Sequence, residues 1–384
     1  MMGPVQDETR RARLLALLRA RIAAAGGRIT FREYMDLALY APGLGYYAAG
    51  AVALGRGGDF VTSPEVDPAF GRLLAVWLGR VDAALGRPPR FDAVEMGAGT
   101  GRLAADILAA LRAINPDLHE RLRYLIVERS PALRARQHEL LGGAAAEWVG
   151  DLADLAPGSI TGALFSNELV DAFPVHRVVG TTAGLEELYV GQDATGALAE
   201  VPGPPSDPAL PAYFARLGLR LPDGVRGEVN LDAVTWLEAV ARALGRGAVL
   251  TIDYGDTADR LYSTRRPAGT LLCYTQGRVT DNPFAAPGAQ DMTAHVDFTT
   301  LQQVGAAAGL STLSLTRQMG FLVDLGIGDL ISGLPDHYAA EARAAGVPAA
   351  AERVLQARAR LFRLIDPDGL GRFHVLIQGR GLAL

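Results

Sequence analysis

Lysine is absent from this chain: all 37 basic residues are arginine. That excludes a Walker phosphate loop, a Schiff-base lysine and a lysine general base. Cysteine is almost absent too. Cys273 stands alone, so neither an intramolecular disulfide nor a cysteine zinc cluster can form, and a reducing compartment suits the chain. The 6 histidines are scattered, with no HExxH pair, and no metal is expected. A G-x-S-x-G nucleophile elbow is missing as well. No apolar run reaches the roughly 20 residues of a membrane span. Neither sign of charge dominates. With 42 acidic residues the net charge is -5, and the basic face of a nucleic-acid binder is not in view.

What is present is a globular composition. Hydrophobic residues make up 49% and charged residues 21% of 384, enough for one large α/β core with insertions. Asp7 and Glu8 precede the first apolar run, so no secretory pattern opens the chain. The stretch 9–25, TRRARLLALLRARIAAA, predicts an amphipathic surface helix ended by Gly26-Gly27. A cytoplasmic location is expected, with the mitochondrial matrix, suggested by that arginine-rich helix, as second choice.

Along the chain the expected segments are these: a helical and loop-rich lead-in (1–68), a first core part (69–179), an insertion of turns and a small β element (180–228), a second core part (229–319), a helical accessory segment (320–370) and a closing strand (371–384). Within the core, FDAVEM (91–96), YLIVE (124–128), a weak strand near 146–149, ALFSNEL (163–169) and GAVLTIDYG (247–255) read as strands. Helices 102–114, about 131–141 and about 231–245 alternate with them. That order indicates a doubly wound, mostly parallel, Rossmann-like sheet. STLSLTR (311–317) and RFHVLIQGR (372–380) are expected to pair at its edge.

The densest motif is VEMGAGTGRL (94–103). Gly97, Gly99 and Gly101, with Ala98 and Thr100 between them, let the backbone turn tightly beneath a ligand, and the helix after them aims its first amides at it. A dinucleotide fingerprint would need glycine at 102, where Arg102 stands. The spacing therefore favours an adenosine-plus-amino-acid ligand, S-adenosylmethionine, over NAD. Glu128 at the second strand's end is read as the acceptor of ribose hydroxyls, or else as a surface acid paired with Arg129 or Arg134. Asp151, followed by Leu152, is read either at the adenine amino group or as a helix cap. After the fourth strand come Asn167, Glu168 and Asp171, and after the fifth Asp253, polar groups that would be costly to bury without a role. Asp171 as a cap and Asp253 as a turn residue are the plainer readings. His295 and Asp297 are read either as a buried structural hydrogen bond or as a catalytic pair, the first being the plainer.

At these residues the chain resembles the MidA-type class I methyltransferases, which include a mitochondrial arginine methyltransferase needed for complex I assembly. The likeness runs through ITFREYMDLALYAPGLGYY (29–47), GDFVTSPE (58–65), VEMGAGTGRL (94–103), YLIVERSPALRARQ (124–137), SNELVDAFP (166–174), TIDYG (251–255), PGAQDMTAHVDF (287–298) and QMGFLVDLGI (318–327). The resemblance implies that Gly97, Gly99 and Gly101 hold S-adenosylmethionine, with Glu128 on its ribose and S-adenosylhomocysteine as product. It implies that Asn167 and Glu168 line the methyl-transfer site, with Gly58, Asp59, Phe60, Thr62, Pro64 and Glu65 lying over it on the substrate side. Where the family reads more like ELGPGRG this chain has EMGAGTG. After GTLLCY it has Thr275-Gln276-Gly277-Arg278 in place of a basic or histidine-bearing stretch.

The expected reaction is in-line transfer of a methyl group to an arginine of a partner protein, a respiratory-complex subunit being the partner the resemblance suggests. Carboxylates suit an arginine acceptor, because they bind the guanidinium fork in pairs of hydrogen bonds. Glu168 is the first choice, with Asp171 and Asp253 in reserve. Two other readings stand beside this one: a small-molecule O- or N-methyltransferase with the same donor site, and a non-catalytic assembly scaffold. The oligomeric state is left open, a homodimer included.

Overall fold

A computed structural model describes residues 4–48, 62–142, 146–275, 278–339 and 347–382. The chain forms two compact units, each assembled from separated stretches. One draws on Met1–Phe60, Leu169–Glu238 and Gly255–Val304, the other on Val61–Glu168, Ala239–Tyr254 and Gly305–Leu384.

The second of these units is built on a seven-stranded sheet: β1 (Phe91–Met96), β2 (Leu122–Val127), β3 (Glu147–Val149), β4 (Ile160–Asn167), β5 (Leu244–Asp253), β6 (Ser311–Arg317) and β7 (His374–Arg380). The order across the sheet is β6-β7-β5-β4-β1-β2-β3. All pairings from β5 to β3 are parallel. β7 runs antiparallel to both β5 and β6, so the expected closing pair forms. β1 is buried at all six positions, the mark of a strand covered on both faces.

Four helices bear on the site: α1 (Ser63–Val66), α2 (Ala69–Ala84), α3 (Arg102–Ile114) and α4 (Pro131–Leu141). α3 buries Leu103, Ala104, Ile107, Leu108 and Leu111, a stripe at helical spacing. It shares one apolar core with Phe70, Leu74 and Trp77 of α2 and with Phe91, Phe165 and Leu250 of the sheet. From β1 the chain moves through β2 and β3 to one side, whereas β4 and β5 lie on the other. The carboxyl edge at β1 and β4 is therefore the switch point where such sheets hold ligands.

The other unit carries a four-stranded antiparallel sheet, in the order Leu198–Gly203, Gly184–Gln192, His176–Thr181, Arg226–Val229. This is the small β element expected within 180–228, begun four residues early. The N-terminal helix spans Pro4–Ala24, longer than the 9–25 stretch on its amino side. It buries Leu14, Leu18 and Ile22 in one cluster with Phe31, Tyr34, Met35, Cys273 and Met292. Such long-range packing groups residues 255–304 with the lead-in, where local periodicity had placed them in the core. Among the described residues no helix is long and apolar enough to cross a membrane.

Candidate active site

The turn after β1 holds three glycines in left-handed conformations, with φ of 71° at Gly97, 53° at Gly99 and 84° at Gly101. Side chains with a Cβ disfavour that region. The Gly97 amide donates to the Val127 carbonyl at 3.2 Å, tying the turn to the end of β2. Gly101 caps α3 with no side-chain bond of its own, and the Arg102 amide donates to Thr100 Oγ1 at 3.4 Å, so it is the next amides of the helix that face solvent or a ligand. A Cβ placed on Gly99 would meet nothing within 4 Å. The loop is thus a cradle with room above it.

Glu128 follows β2 and is 8% exposed, which sets aside its reading as a surface acid. Its Oε1 accepts from the Ser130 amide at 2.9 Å and its Oε2 from Gln137 Nε2 at 3.2 Å. Arg129 pairs instead with Asp151. Burial pushes the Glu128 carboxyl above the usual carboxylate range, and those two hydrogen bonds pull it back.

Asp151 is a cap. Its Oδ1 accepts from the Ala153 amide at 2.9 Å, and Asp154 returns the favour to the Asp151 amide at 2.9 Å. The backbone hydrogen bond from Ala153, together with Arg129, holds Asp151 below the usual carboxylate range. Leu152, beside it, is 6% exposed.

β4 ends at Asn167, two residues short of the Leu169 end of the expected strand. Asn167 Nδ2 donates to Glu168 Oε1 at 3.0 Å, while Asn167 Oδ1 is buried without a hydrogen-bond partner. Glu168 itself sits at φ 50°, and its amide donates to the Ile252 carbonyl at 2.9 Å. Its Oε1 also accepts from the Ser63 amide at 3.1 Å, so the first amide of α1 fixes the carboxylate from the far side. Asp253, the last residue of β5, is fully buried and accepts from the Tyr254 amide at 2.9 Å. Asn167 and Ile252 are register partners, so Glu168 and Asp253 leave neighbouring strand ends.

Asp171 belongs to the other unit. It lies inside the short turn Val170–Ala172, not at its cap, and is buried. Its carbonyl accepts from the Ala294 amide at 3.0 Å. The Tyr47 phenol is pushed well above its usual value by burial, by Asp291 and, further down, by Asp171. The expected His295–Asp297 bond does not form. Asp297 accepts from Tyr213 Oη at 2.7 Å and from Thr300 Oγ1 at 2.8 Å, and His295 Nδ1 lies 3.5 Å from Arg266.

Of the substrate-side set, Gly58, Asp59 and Phe60 lie outside the described residues. Thr62 precedes α1, and Pro64 sits in its first turn. Glu65 accepts from Thr100 Oγ1 at 2.8 Å, so α1 touches the glycine turn. Two residues escaped the sequence reading. Gln318 is fully buried and bonds Ser63 Oγ at 3.1 Å and the Leu364 carbonyl at 2.9 Å. Gln137, fully buried on α4, bonds the Gly99 carbonyl at 2.9 Å as well as Glu128. Among polar neighbours in LRARQHELL nothing singles out Gln137; only burial does.

Residues 73–316 match the family profile described as "Putative S-adenosyl-L-methionine-dependent methyltransferase". The chain belongs to that family. The methyltransferase is 30% identical over 376 residues to the mitochondrial protein arginine methyltransferase NDUFAF7 of Mus musculus, covering 91% of this chain and 80% of the relative. With the Homo sapiens protein of the same name it shares 30% over 330 residues, 78% of this chain and 70% of the relative. A crystal structure of a Burkholderia thailandensis protein bound to S-adenosyl-homocysteine superposes with a TM-score of 0.86 at 36% identity, over 100% of this chain and 96% of that one. The fold is that of the class I methyltransferases, and the methyl donor is S-adenosylmethionine. The residues fit it: the open space at Gly99 leaves room for a ligand against the turn, and the buried acceptor Asn167 Oδ1, which has no protein partner, suits a ligand with donors.

Proposed function

We propose that this methyltransferase acts on the guanidino nitrogen of an arginine in a partner protein, with Glu168 as the carboxylate that engages the acceptor. The observation that carries this is the way Glu168 is held: a left-handed backbone and two hydrogen bonds to Oε1, from Asn167 and from Ser63, orient an acid at the end of β4. Strain of this kind persists where the surroundings over-determine it, and it collects at functional sites. The names of the mouse and human relatives support an arginine acceptor; a respiratory-complex subunit as its owner is the narrower reading, carried by family resemblance.

S-adenosylmethionine supplies a methyl group already activated on a sulfonium, so this chain need provide no covalent catalysis. In this reading Gly97, Ala98, Gly99, Thr100 and Gly101 hold the donor, Glu128 accepts from its ribose, and Asp151 and Leu152 flank its adenine. Asn167 accepts from its amino group through Oδ1. Glu168 binds the guanidinium, whose charge is delocalised and whose lone pairs are poor nucleophiles in solution. A carboxylate on two N–H groups draws that charge away from the third nitrogen. Asp253 is the reserve acid, and Thr62, Pro64 and Glu65 are the residues proposed for the acceptor side. Correct placement of reacting groups can lower a barrier by about 7–11 kcal/mol.

The test supplies methyl-labelled donor and arginine-bearing peptides to the purified protein, followed by amino-acid analysis. Label in methylarginine is expected; label confined to a low-mass product overturns the protein-arginine reading. Glu168→Ala is expected to abolish transfer while S-adenosylhomocysteine affinity, measured by calorimetry, stays within about threefold, since the carboxylate meets the acceptor and not the donor. Wild-type turnover by that variant would remove Glu168 from the mechanism.

A further inference from the structure

The geometry points to Gln137 as a positioning residue for the donor: its side-chain amide locks the glycine turn and the ribose-binding acid Glu128 into one rigid receptor. This rests on the reading of Glu128 given above. The side chain is fully buried, and both of its donors and one of its two acceptor positions are directed at the site or its support. Nε2 donates to the Gly99 carbonyl at 2.9 Å and to Glu128 Oε2 at 3.2 Å. Oε1 accepts from Trp148 Nε1 at 3.0 Å. Trp148 is in β3 and stacks on His138, with ring centroids 3.7 Å apart. One amide therefore joins the turn after β1, the end of β2, β3 and α4.

A merely structural glutamine would not need this choice of partners. The Gly99 carbonyl belongs to the residue with open space on its Cα, and Glu128 is the one acid at the end of β2. Gln137 also packs against the third glycine: a Cβ on Gly101 would meet its Cγ at 3.2 Å and its Cα at 3.4 Å. The glycine at 101 is thus matched to the glutamine as well as to its φ.

The amide also governs the charge on Glu128. The groups that bear on that carboxyl are the Ser130 and Arg129 amides and Gln137, which favour ionisation, with Arg134 on α4 doing so through its charge. The charge of Glu128 in turn raises the Glu95 carboxyl of β1. Removing the Gln137 donor leaves burial less opposed, so the carboxyl holds its proton to higher pH. A protonated Glu128 is a poorer acceptor for hydroxyl groups, so donor affinity falls as pH drops through its titration.

The experiment measures the affinity of S-adenosylhomocysteine by calorimetry from pH 5.5 to 9 for wild type, Gln137→Met, Gln137→Glu and Glu128→Gln. Gln137→Met is expected to bind about tenfold more weakly at pH 7, as loss of a charge-assisted hydrogen bond gives, with its acid limb displaced to higher pH. Gln137→Glu keeps the length and the acceptor for Trp148 and sets a second carboxyl against Glu128. It covers the case in which the methionine variant fails to fold, and it is expected to displace the limb in the same direction. Affinity profiles of both Gln137 variants that superpose on wild type, whatever their thermal stability, overturn the inference. Glu128→Gln is expected to lose affinity and the acid limb together. If it retains both, the reading of Glu128 has failed, which is a different result from an unmoved Gln137 profile beside a weakened Glu128→Gln.

Discussion

Glu168 has a backbone conformation that few residues with a Cβ adopt. At φ 50° it occupies a region that costs a residue with a Cβ about 1–2 kcal/mol. The prediction is a stability order that runs against ordinary preference. Glu168→Ala and Glu168→Gly lose the same two hydrogen bonds, but only glycine relieves the φ. Glu168→Gly should therefore be more stable than Glu168→Ala by about 1 kcal/mol in denaturant unfolding, with both inactive. An alanine variant as stable as the glycine one would show that the backbone there carries no strain. A second residue-scale device lies within β1. Glu95 of β1 is buried and accepts from Tyr124 Oη at 2.5 Å. Burial, opposed by that bond and aided by Glu128, pushes its carboxyl from 4.5 to about 7. Its folded value is raised, so folding takes up a proton between these limits. The stability linked to Glu95 is complete below about pH 4.5 and is lost as pH rises through about 7. Tyr124→Phe removes a donor to the ionised form. Its destabilisation should thus be greater at pH 8 than at pH 5, and an equal loss at both would exclude Glu95 as the titrating group.

At the scale of elements, the short helix α1 does more than its length suggests. Its first amide meets Glu168, Ser63 Oγ meets Gln318, Glu65 meets Thr100, and Asp67 just past its end pairs with Arg360 at 2.9 Å. Gln318 is the buried post of this arrangement. Gln318→Leu orphans the Leu364 carbonyl and the Ser63 hydroxyl together, and it should cost about 1–3 kcal/mol of stability by denaturant titration. A loss of a few tenths would mean that both groups find other partners. These contacts also mark where sequence stops being informative. β1, β4, β5 and α3 were legible because burial on both faces demands unbroken apolar runs and a one-sided helix shows its stripe. The glycine turn was legible because a left-handed backbone restricts residue type. Gln137 and Gln318 were not, since a glutamine that points inward is spelled like one that points out. Asp151 could be read as a cap or a ligand from its position alone; the capping box shows that it caps, with its second oxygen on Arg129.

For the molecule as a whole, tertiary contacts group the chain at other points than its local periodicity does. Local periodicity cannot say that 169–238 and 255–304 join the lead-in, because that grouping comes from contacts such as those of Phe31 and Tyr34 with the cluster of Cys273 and Met292. The division has a consequence for ligand response. Gly97 through Gly101, Glu128, Asp151, Asn167 and Glu168 all belong to the unit built on the seven-stranded sheet. A ligand that binds only the folded form stabilises it by about 2.7 kcal/mol at a concentration 100 times its dissociation constant. Proteins open in cooperative parts, each with its own free energy, so this stabilisation should first reach the openings that break the site. Saturating S-adenosylhomocysteine is therefore expected to slow amide hydrogen exchange in β1, β2 and β4 more than in His176–Thr181 and Gly184–Gln192 of the other unit. Equal slowing in both sheets would mean that they open only together, and that the donor site reports on the stability of the entire chain.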